Sequence, residues 1–557
     1  MSEAFDAIVV GTGISGGWAA KELTERGLRV ALLERGRAIE HGRDYTGEHV
    51  PPWQFKYRSM GDRRRFEDEY ASQGATYAMN EDNLQFWAKD SEWPYQIDRE
   101  SPFKWTRPGG VGGRSLIWGR QVYRFSDLDF EANARDGHGI DWPIRYGDIA
   151  SWYDHVEGFI GVSGQREGIA HLPDGEFQPP MAMTCVEELL KERVESGFEK
   201  RKVTIGRVAV LTESKPGRAA CHYCGPCQRG CSTGSYFSTQ SSTLPAAKAT
   251  GRLTLFTDTL VERLTLDTDT GRARGVAVVD TATGVRKELR ARVVFLCASA
   301  LGSTQILLNS ATDEHPNGLG NSSGALGHYM MDHCATNGAT GIHPGFADRG
   351  TAGNRPNGIY IPRFRNVEDD DADFLRGYGY QGVSGRAGWT RFSSTPGFGK
   401  SLKDQLGQHG PWYMRLTGFG ECLPRYDNAV ALDWTHLDRW GAPQLKIAFE
   451  FGDNERKMAK DMAAQAAVML KSAGFVGVNP FMEMSDAIHE MGTARMGRDP
   501  RESVLNAHNQ CHDVPNVYVT DGACMTSSSC VNPSLTYMAL TARAASHAAD
   551  ELARGAW

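Results

Sequence analysis

The sequence predicts an α/β fold built from two structural units, and three observations carry that prediction. A strand–glycine loop–helix–strand unit occupies residues 5 to 34. Short β-prone runs between 340 and 450, such as Gly358-Ile359-Tyr360-Ile361 and Ala429-Val430-Ala431-Leu432, read as an antiparallel sheet. The 557-residue length exceeds what a single hydrophobic core holds.

Taken in order, Phe5 to Val10 reads as a buried strand and Gly11-Thr12-Gly13-Ile14-Ser15-Gly16 as the loop after it. Trp18 to Arg26 has helical character, Gly27 stops it, and Arg29 to Glu34 is the second strand. In this context G-x-G-x-x-G is a dinucleotide fingerprint: Gly11 permits the turn, Gly13 lets the backbone approach a pyrophosphate, and Gly16 allows close helix–strand packing. The helix N-terminus offers free N–H groups and a positive dipole end to phosphates. Glu34 is placed to bond a ribose hydroxyl, and Ser15 and Arg35 beside these residues join the candidate set. The fingerprint by itself serves FAD and NAD alike. Residues 40–105 have weak periodicity and many aromatics, which predicts a long irregular excursion. Residues 252–265 and 274–296 read as strands rejoining the first sheet, and 454–474 as a helix.

A net charge of −7 argues against nucleic acid as a partner. No stretch approaches 18 apolar residues, so no membrane span is expected. Arg63-Arg64-Arg65 with Glu67-Asp68-Glu69, and Glu368 to Asp371, read as solvated loops. The apolar start runs straight into the glycine loop and reads as a strand, not a signal peptide; the expectation is a cytoplasmic protein, with export beside a signal-bearing partner as the alternative. Of eleven cysteines, seven are scattered, and the odd total does not suggest a disulfide framework. The other four, Cys221, Cys224, Cys227 and Cys231, form a C-x₂-C-x₂-C-x₃-C run with ferredoxin-like spacing. An iron–sulfur cluster, [3Fe–4S] or [4Fe–4S], is the expectation. A structural zinc site and free thiols are the alternatives, and Ser232 replaces the proline of the ferredoxin pattern.

Toward the C-terminus, His489-Glu490-Met491-Gly492-Thr493 precedes Val517 to Gly522, a strand with an acid at its end, and then Asn532-Pro533-Ser534-Leu535-Thr536. With Gly112-Gly113-Arg114-Ser115-Leu116-Ile117-Trp118-Gly119 and the fingerprint, this order of motifs resembles the glucose–methanol–choline (GMC) flavoprotein oxidoreductases over nearly the whole chain. The resemblance implies FAD as cofactor, His489 as catalytic base and Asn532 as its polar partner. It assigns Gly112, Gly113, Ser115, Trp118, Asp521, Gly522, Pro533 and Thr536 to the flavin surroundings, Cys297 and Ala298 to the ADP side, and Val261 to the adenine side. Ile117 stands where pyranose oxidases attach FAD through histidine, so FAD is expected to be noncovalent. The implied domains are an FAD-binding domain of residues 1–160, 200–335 and 485–557, with the cysteine run 221–231 inserted, and a substrate-binding α+β domain of 161–199 and 336–484.

Chemistry supports the catalytic pair independently. Oxidising an alcohol moves a hydride while the hydroxyl loses its proton, and a neutral histidine suits that proton at neutral pH. His508 and His512 read as structural. Asn532 is expected to cap a helix that Pro533 starts and that closes near Gly555, with Leu535, Met538, Ala542, Ala545, Ala549 and Leu552 on one buried face. Its positive end would face the flavin.

The stretches Trp118 to Arg124 and Asp141 to Ile144, with the cysteine run, resemble the glucoside 3-dehydrogenase and gluconate-dehydrogenase large-subunit branch. That implies a dehydrogenase oxidising a secondary ring hydroxyl of a sugar or glycoside, C3 foremost. Its electrons would leave through the cluster to a cytochrome or other acceptor, beside a small subunit. Trp389, Trp412, Tyr413, Trp434 and Trp440 could stack on sugar faces or serve as sheet core. The alternatives are a sugar oxidase using O₂, with zinc or free cysteines, and a non-catalytic flavin-bound electron-transfer subunit.

Overall fold

The computed structural model describes residues 5–98, 101, 103–368, 372–388, 391, 395–484 and 488–557. Trp389 and Asp369 to Asp371 lie outside them. The fold is α/β, as expected. Val30–Leu33, Phe5–Val10 and Arg286–Leu296 lie side by side and parallel, with Val9 opposite both Leu32 and Phe295. Leu253–Phe256 adds outside Val30–Leu33, and Val517–Val519 adds beside Arg286–Leu296. Residues 7–10, 30–33, 293–296 and 517–519 of these strands are buried apolar runs, as the interior of a parallel sheet requires. The first half of Arg286–Leu296 leaves this layer and pairs antiparallel with Arg272–Asp280, which pairs with Thr259–Asp267. The expected strands at 252–265 and 274–296 are therefore present, divided between a parallel and an antiparallel role.

The helix Ile14–Glu25 follows the glycine loop and packs against Ser534–Ala553. That C-terminal helix is buried on nearly every side, by Leu540, Thr541 and Ala544 as well as the expected residues, while Ala549 is only half-buried. A single apolar stripe was too narrow an expectation, because Ile14–Glu25 and Tyr146–Ile160 both pack on it.

The second layer is a six-stranded antiparallel sheet, in the order Val476–Met482, Cys334–His343, Trp412–Gly420, Tyr378–Arg386, Ile359–Ile361 and Thr204–Ile205. The helix Asp453–Ser472 lies on it so closely that a Cβ at Gly418 or Gly420 would sit 2.4 Å from a methionine sulfur of that helix. Ala429–Leu437 stands apart, in a small sheet with Pro443–Ala448 and Gln96–Ile97. Residues 40–105 are largely irregular, with short helical turns. The Arg63 to Glu69 charge run is a helix and not a loop: Asp62 caps it, and Arg63–Glu67 and Arg65–Glu69 pair one turn apart.

Arg376 ties the end of the second sheet to the segment before Tyr146–Ile160. Its guanidinium meets Asp136, Asn133 Oδ1 at 2.9 Å and Glu421 Oε1 at 2.5 Å, all in a buried setting. Burial pushes the Glu421 carboxyl up even with Arg376 beside it. Arg376→Met would strand that carboxyl, so urea unfolding should show a loss of about 3–5 kcal/mol. Adding Glu421→Gln should recover part of the loss.

Candidate active site

A cavity of about 1040 Å³ is walled by both layers and collects most of the residues singled out in the sequence. Gly11, Gly13, Ser15, Glu34, Arg35, Gly113, Trp118, Val261, Cys297, Ala298, Asp521, Gly522, His489 and Asn532 all line it. Gly16, Gly112, Ser115, Pro533 and Thr536 do not; they stand behind the lining.

At one end the glycine loop makes a cradle. Gly11 has φ +95°, and a Cβ there would fall 2.3 Å from the Cys297 carbonyl oxygen. At Gly16 a Cβ would fall 1.8 Å from the Gly11 carbonyl oxygen, so helix and loop touch through backbone alone. Gly13 is the opposite case: nothing lies within 4 Å of its missing Cβ, which opens into the cavity. It also occupies the cap position of Ile14–Glu25 without a side-chain cap, leaving the helix N–H groups for a phosphate. Glu34 accepts from Thr12 and, at 2.9 Å, from Gly36 N–H, which fixes its carboxylate on the cavity wall. Thr12 Oγ1 in turn accepts from Gly112 N–H at 3.0 Å, and Ser115 Oγ donates to the Gly112 carbonyl at 2.6 Å. Gly112 and Ser115 thus stiffen the second glycine loop from behind. Arg35 sits over the Trp93 ring, and burial followed by the charge of Arg107 brings its guanidinium down to about 10. This end fits a dinucleotide: it offers a bare backbone cradle, a helix N-terminus and a fixed carboxylate.

Asp521 follows the strand Val517–Val519 and accepts from Ser303 Oγ at 2.5 Å and Ala523 N–H at 3.0 Å. Burial raises its carboxyl to about 6. Ile117 is apolar and on the cavity wall, with no group able to bond a flavin covalently. Trp118 donates its indole N–H to the Phe237 carbonyl at 3.0 Å, which leaves only its ring for the cavity.

At the other end stand His489 and Asn532. His489 Nδ1 lies 2.9 Å from His333 Nδ1, and the other nitrogen of His333, Nε2, lies 3.4 Å from the Ser528 carbonyl. A carbonyl only accepts, so His333 Nε2 carries a proton and a neutral His333 has a bare Nδ1. His489 must then donate from Nδ1, which leaves its Nε2 as a lone pair. Burial lowers His333 to about 4 and, joined by the charges of His333 and Arg114, holds His489 well below the usual histidine range. Asp332 accepts from the His489 backbone N–H at 3.1 Å and keeps the turn in place. Burial, then the charge of Glu490, pushes the Asp332 carboxyl well above its ordinary range.

Asn532 does not cap the C-terminal helix. The cap position is Pro533, and Asn532 Oδ1 instead accepts from Gln381 Nε2 at 2.7 Å, across from the second sheet. The uncapped helix N-terminus, with Ser534 and Tyr537, lines the cavity. His508 stacks on His547 at 4.1 Å and His512 bonds Ser503 at 3.1 Å, and neither lines the cavity.

Several contributors were not read from the sequence. Arg114 forks onto Glu490 with two 2.6 Å bonds beside His489, and His333, Gln381, Gln121 and Asn357 surround the pair. Arg114 and Glu490 sit inside the named motifs, which alone could have flagged them; the rest come from segments distant in sequence. None of Trp412, Tyr413, Trp434 and Trp440 lines the cavity: Trp412 is core, and Trp434 is exposed. Much of the aromatic lining comes instead from the irregular excursion, with Tyr77, Trp87, Trp93, Tyr95 and Trp105, joined by Trp118, Phe419 and Tyr537.

Cys221, Cys227 and Cys231 pack with Tyr223 against Met181, Val208, Val210 and Tyr236, while Cys224 is exposed. Burial, then the charges of Cys227 and Cys231, raises the Cys221 thiol. The donor type suits an iron–sulfur cluster, but the geometry does not close. Among the described residues, no three His, Cys, Asp or Glu side chains converge as metal ligands. Gln228, between two of these cysteines, lines the cavity.

The chain is similar over most of its length to known oxidoreductases. Two family models described as GMC oxidoreductase match residues 205–335 and 424–541, and one described as FAD dependent oxidoreductase matches 6–111. A 2-methyl-1,2-propanediol dehydrogenase from Mycolicibacterium austroafricanum is 29% identical over 97% of this chain and 94% of its own. The fructose dehydrogenase large subunit of Gluconobacter japonicus is 24% identical over 99% and 98%. The solved pyridoxine 4-oxidase from Mesorbium loti superposes with a TM-score of 0.62 over 97% of this chain and 98% of its own, at 17% identity, a likeness of fold.

Two glycine variants separate folding from cofactor binding. Gly11→Ala should lower the melting temperature and abolish flavin loading together. Gly13→Ala should melt like the wild-type apoprotein yet bind FAD at least about tenfold more weakly, a loss of ~1.4 kcal/mol, by fluorescence titration.

Proposed function

The chain belongs to the GMC oxidoreductase family and is an FAD-dependent oxidoreductase of alcohol CH–OH groups; within that class we propose a dehydrogenase that oxidises a secondary ring hydroxyl of a sugar or glycoside, C3 foremost, to a ketone. The observation that carries the reading is the pairing of a bare His489 Nε2 with Asn532 in one cavity. His489 Nε2 takes the hydroxyl proton, and Asn532 Nδ2–H holds the same oxygen as negative charge develops on it. FAD, when bound, supplies the hydride acceptor. The N-terminus of Ser534–Ala553 adds a positive dipole end to this wall. Gln381, Asn357, Arg415 and Thr417 continue the polar lining beyond Asn532, with Phe419 between, which suits a polyhydroxylated ring. The choice of C3 rests on the resemblance of residues 118–124 and 141–144 to the glucoside 3-dehydrogenase branch.

If the cysteine run held a cluster, Cys221, Cys224, Cys227 and Cys231 would be its ligands and it would give electrons an exit toward a cytochrome or other acceptor, beside a small subunit. Gln228 on the cavity wall and the match to a protein named a large subunit support it. The unconverged thiols favour the second reading, an oxidase that hands electrons to O₂. Iron and sulfide analysis of anaerobically purified protein decides between them, together with dye against oxygen turnover on D-glucose, methyl β-D-glucoside and 1,2-propanediol. Iron, sulfide and dye-only turnover are expected; peroxide release without iron would overturn the exit.

His489→Ala should keep the bound flavin and lose about 10²–10⁴ in the rate of flavin reduction. Since His489 is held neutral well below its ordinary range, the wild-type rate should stay flat through pH 6.5 and fall only in more acid solution. An acid limb centred at or above 6.5 would count against His489 as the base.

A further inference from the structure

The hydrogen bonds around Asn532 form a chain whose direction is set at its far end by the backbone. Asn357 Nδ2 donates to the Gly119 carbonyl at 3.1 Å, and Asn357 Oδ1 accepts from Gly358 N–H at 3.1 Å. A carbonyl cannot donate and an amide N–H cannot accept, so Asn357 has one permitted orientation. Its Oδ1 also accepts from Gln121 Nε2 at 2.9 Å, which places the Gln121 oxygen on the other side, where Tyr123 OH donates to it. Gln121 Nε2 then donates to Gln381 Oε1 at 2.7 Å, and Gln381 Nε2 donates to Asn532 Oδ1 at 2.7 Å. Each amide orients the next. Asn532 is thereby left with its Nδ2 facing the cavity.

We propose that Asn357, Gln121 and Gln381 are positioning residues that hold Asn532 as a hydrogen-bond donor to the reacting oxygen. The proposal rests on the reading of Asn532 given above and adds the device that sets its sense. An asparagine alone presents oxygen or nitrogen with nearly equal ease, and an outward oxygen would repel the charge that grows as His489 takes the proton. The chain removes that ambiguity. It also complements the histidine pair, where the Ser528 carbonyl fixes the opposite sense: His333 makes His489 an acceptor, and Gln381 makes Asn532 a donor. The strands Tyr378–Arg386 and Ile359–Ile361 pair in register, with Gly382 opposite Ile359, which keeps Gln381 and the segment holding Asn357 both within reach of Gln121 Nε2.

The test reverses the chain. At pH 8 the carboxylate introduced by Gln381→Glu can only accept, so it turns Asn532 Nδ2 inward and presents the oxygen to the cavity. Anaerobic bleaching of the flavin by methyl β-D-glucoside, or by whichever probe alcohol reduces wild type fastest, should slow by about 10²–10³. As pH falls toward 5 the introduced acid gains a proton and donates again, so the rate should rise while the wild-type rate does not. Gln121→Glu inverts the same chain one link further off and should show the same rise; it serves if Gln381→Glu does not load flavin. Gln381→Leu should lose only about tenfold, with no pH reversal. A readout other than turnover is the binding of the keto product, whose oxygen only accepts: followed by flavin absorbance, it should weaken at pH 8 in Gln381→Glu and recover at pH 5. Wild-type rates and parallel pH profiles in both glutamate variants would overturn the relay, provided Asn532→Ala is crippled. Full activity in Asn532→Ala would instead sink the reading of Asn532 itself.

Discussion

Gly11 lies against the carbonyl of Cys297, and the placement of the site depends on that contact. Two parallel strands, Phe5–Val10 and Arg286–Leu296, end together there with only backbone between their turns. A methyl group at Gly11 has no room, so the turn holds one shape and aims the N-terminus of Ile14–Glu25 into the cavity. The neighbouring strands inherit the alignment. Val30–Leu33 delivers Glu34 to the same edge, and Val517–Val519 delivers Asp521. One tight backbone contact therefore sets the position of the cofactor end, and the chemical end is built out from it.

The chemical end is governed by polarity more than by charge. A base and a donor facing one oxygen must have opposite senses, and neither histidine nor asparagine has a sense of its own. In both cases the ambiguity is resolved by groups that cannot reverse: the Ser528 carbonyl behind His333, and the Gly119 carbonyl with the Gly358 N–H behind Asn357. Burial reinforces the arrangement by holding both histidines neutral. In the proposed reaction a neutral, pre-oriented pair takes up the proton without first rearranging, which is where preorganised sites gain most.

The dinucleotide end was legible because its requirements are local. A glycine, Gly16, that must approach the Gly11 carbonyl, a helix that must start at a phosphate and an acid that must close the next strand all fall within 30 residues of sequence. The expectations that failed were those in which a neighbour distant in sequence decides. Asn532 looked like a helix cap because Asn before Pro-Ser commonly is one, but Gln381 from the second sheet claims its oxygen. The tryptophans of 389–440 and Tyr413 left sugar stacking and sheet core both open; of the described ones none lines the cavity, Trp412 being core and Trp434 exposed, and aromatics of the irregular excursion stand there instead. The Arg63 to Glu69 run reads as a loop by charge alone, but four-residue steps between opposite charges make it a helix.

The sequence by itself determined the class of fold, the family and the two residues proposed to face the substrate oxygen, since each is written in a contiguous motif. Tertiary structure alone decided which atoms of those two residues face the cavity. Donor and acceptor sense is a property of hydrogen-bond chains, and here the chains run through residues 121, 333, 357 and 381, brought together by antiparallel pairing and not by any spacing in the sequence. The cysteine run marks the same boundary from the other side: its spacing names a type of ligand, while convergence on a metal depends on how the loop folds around it.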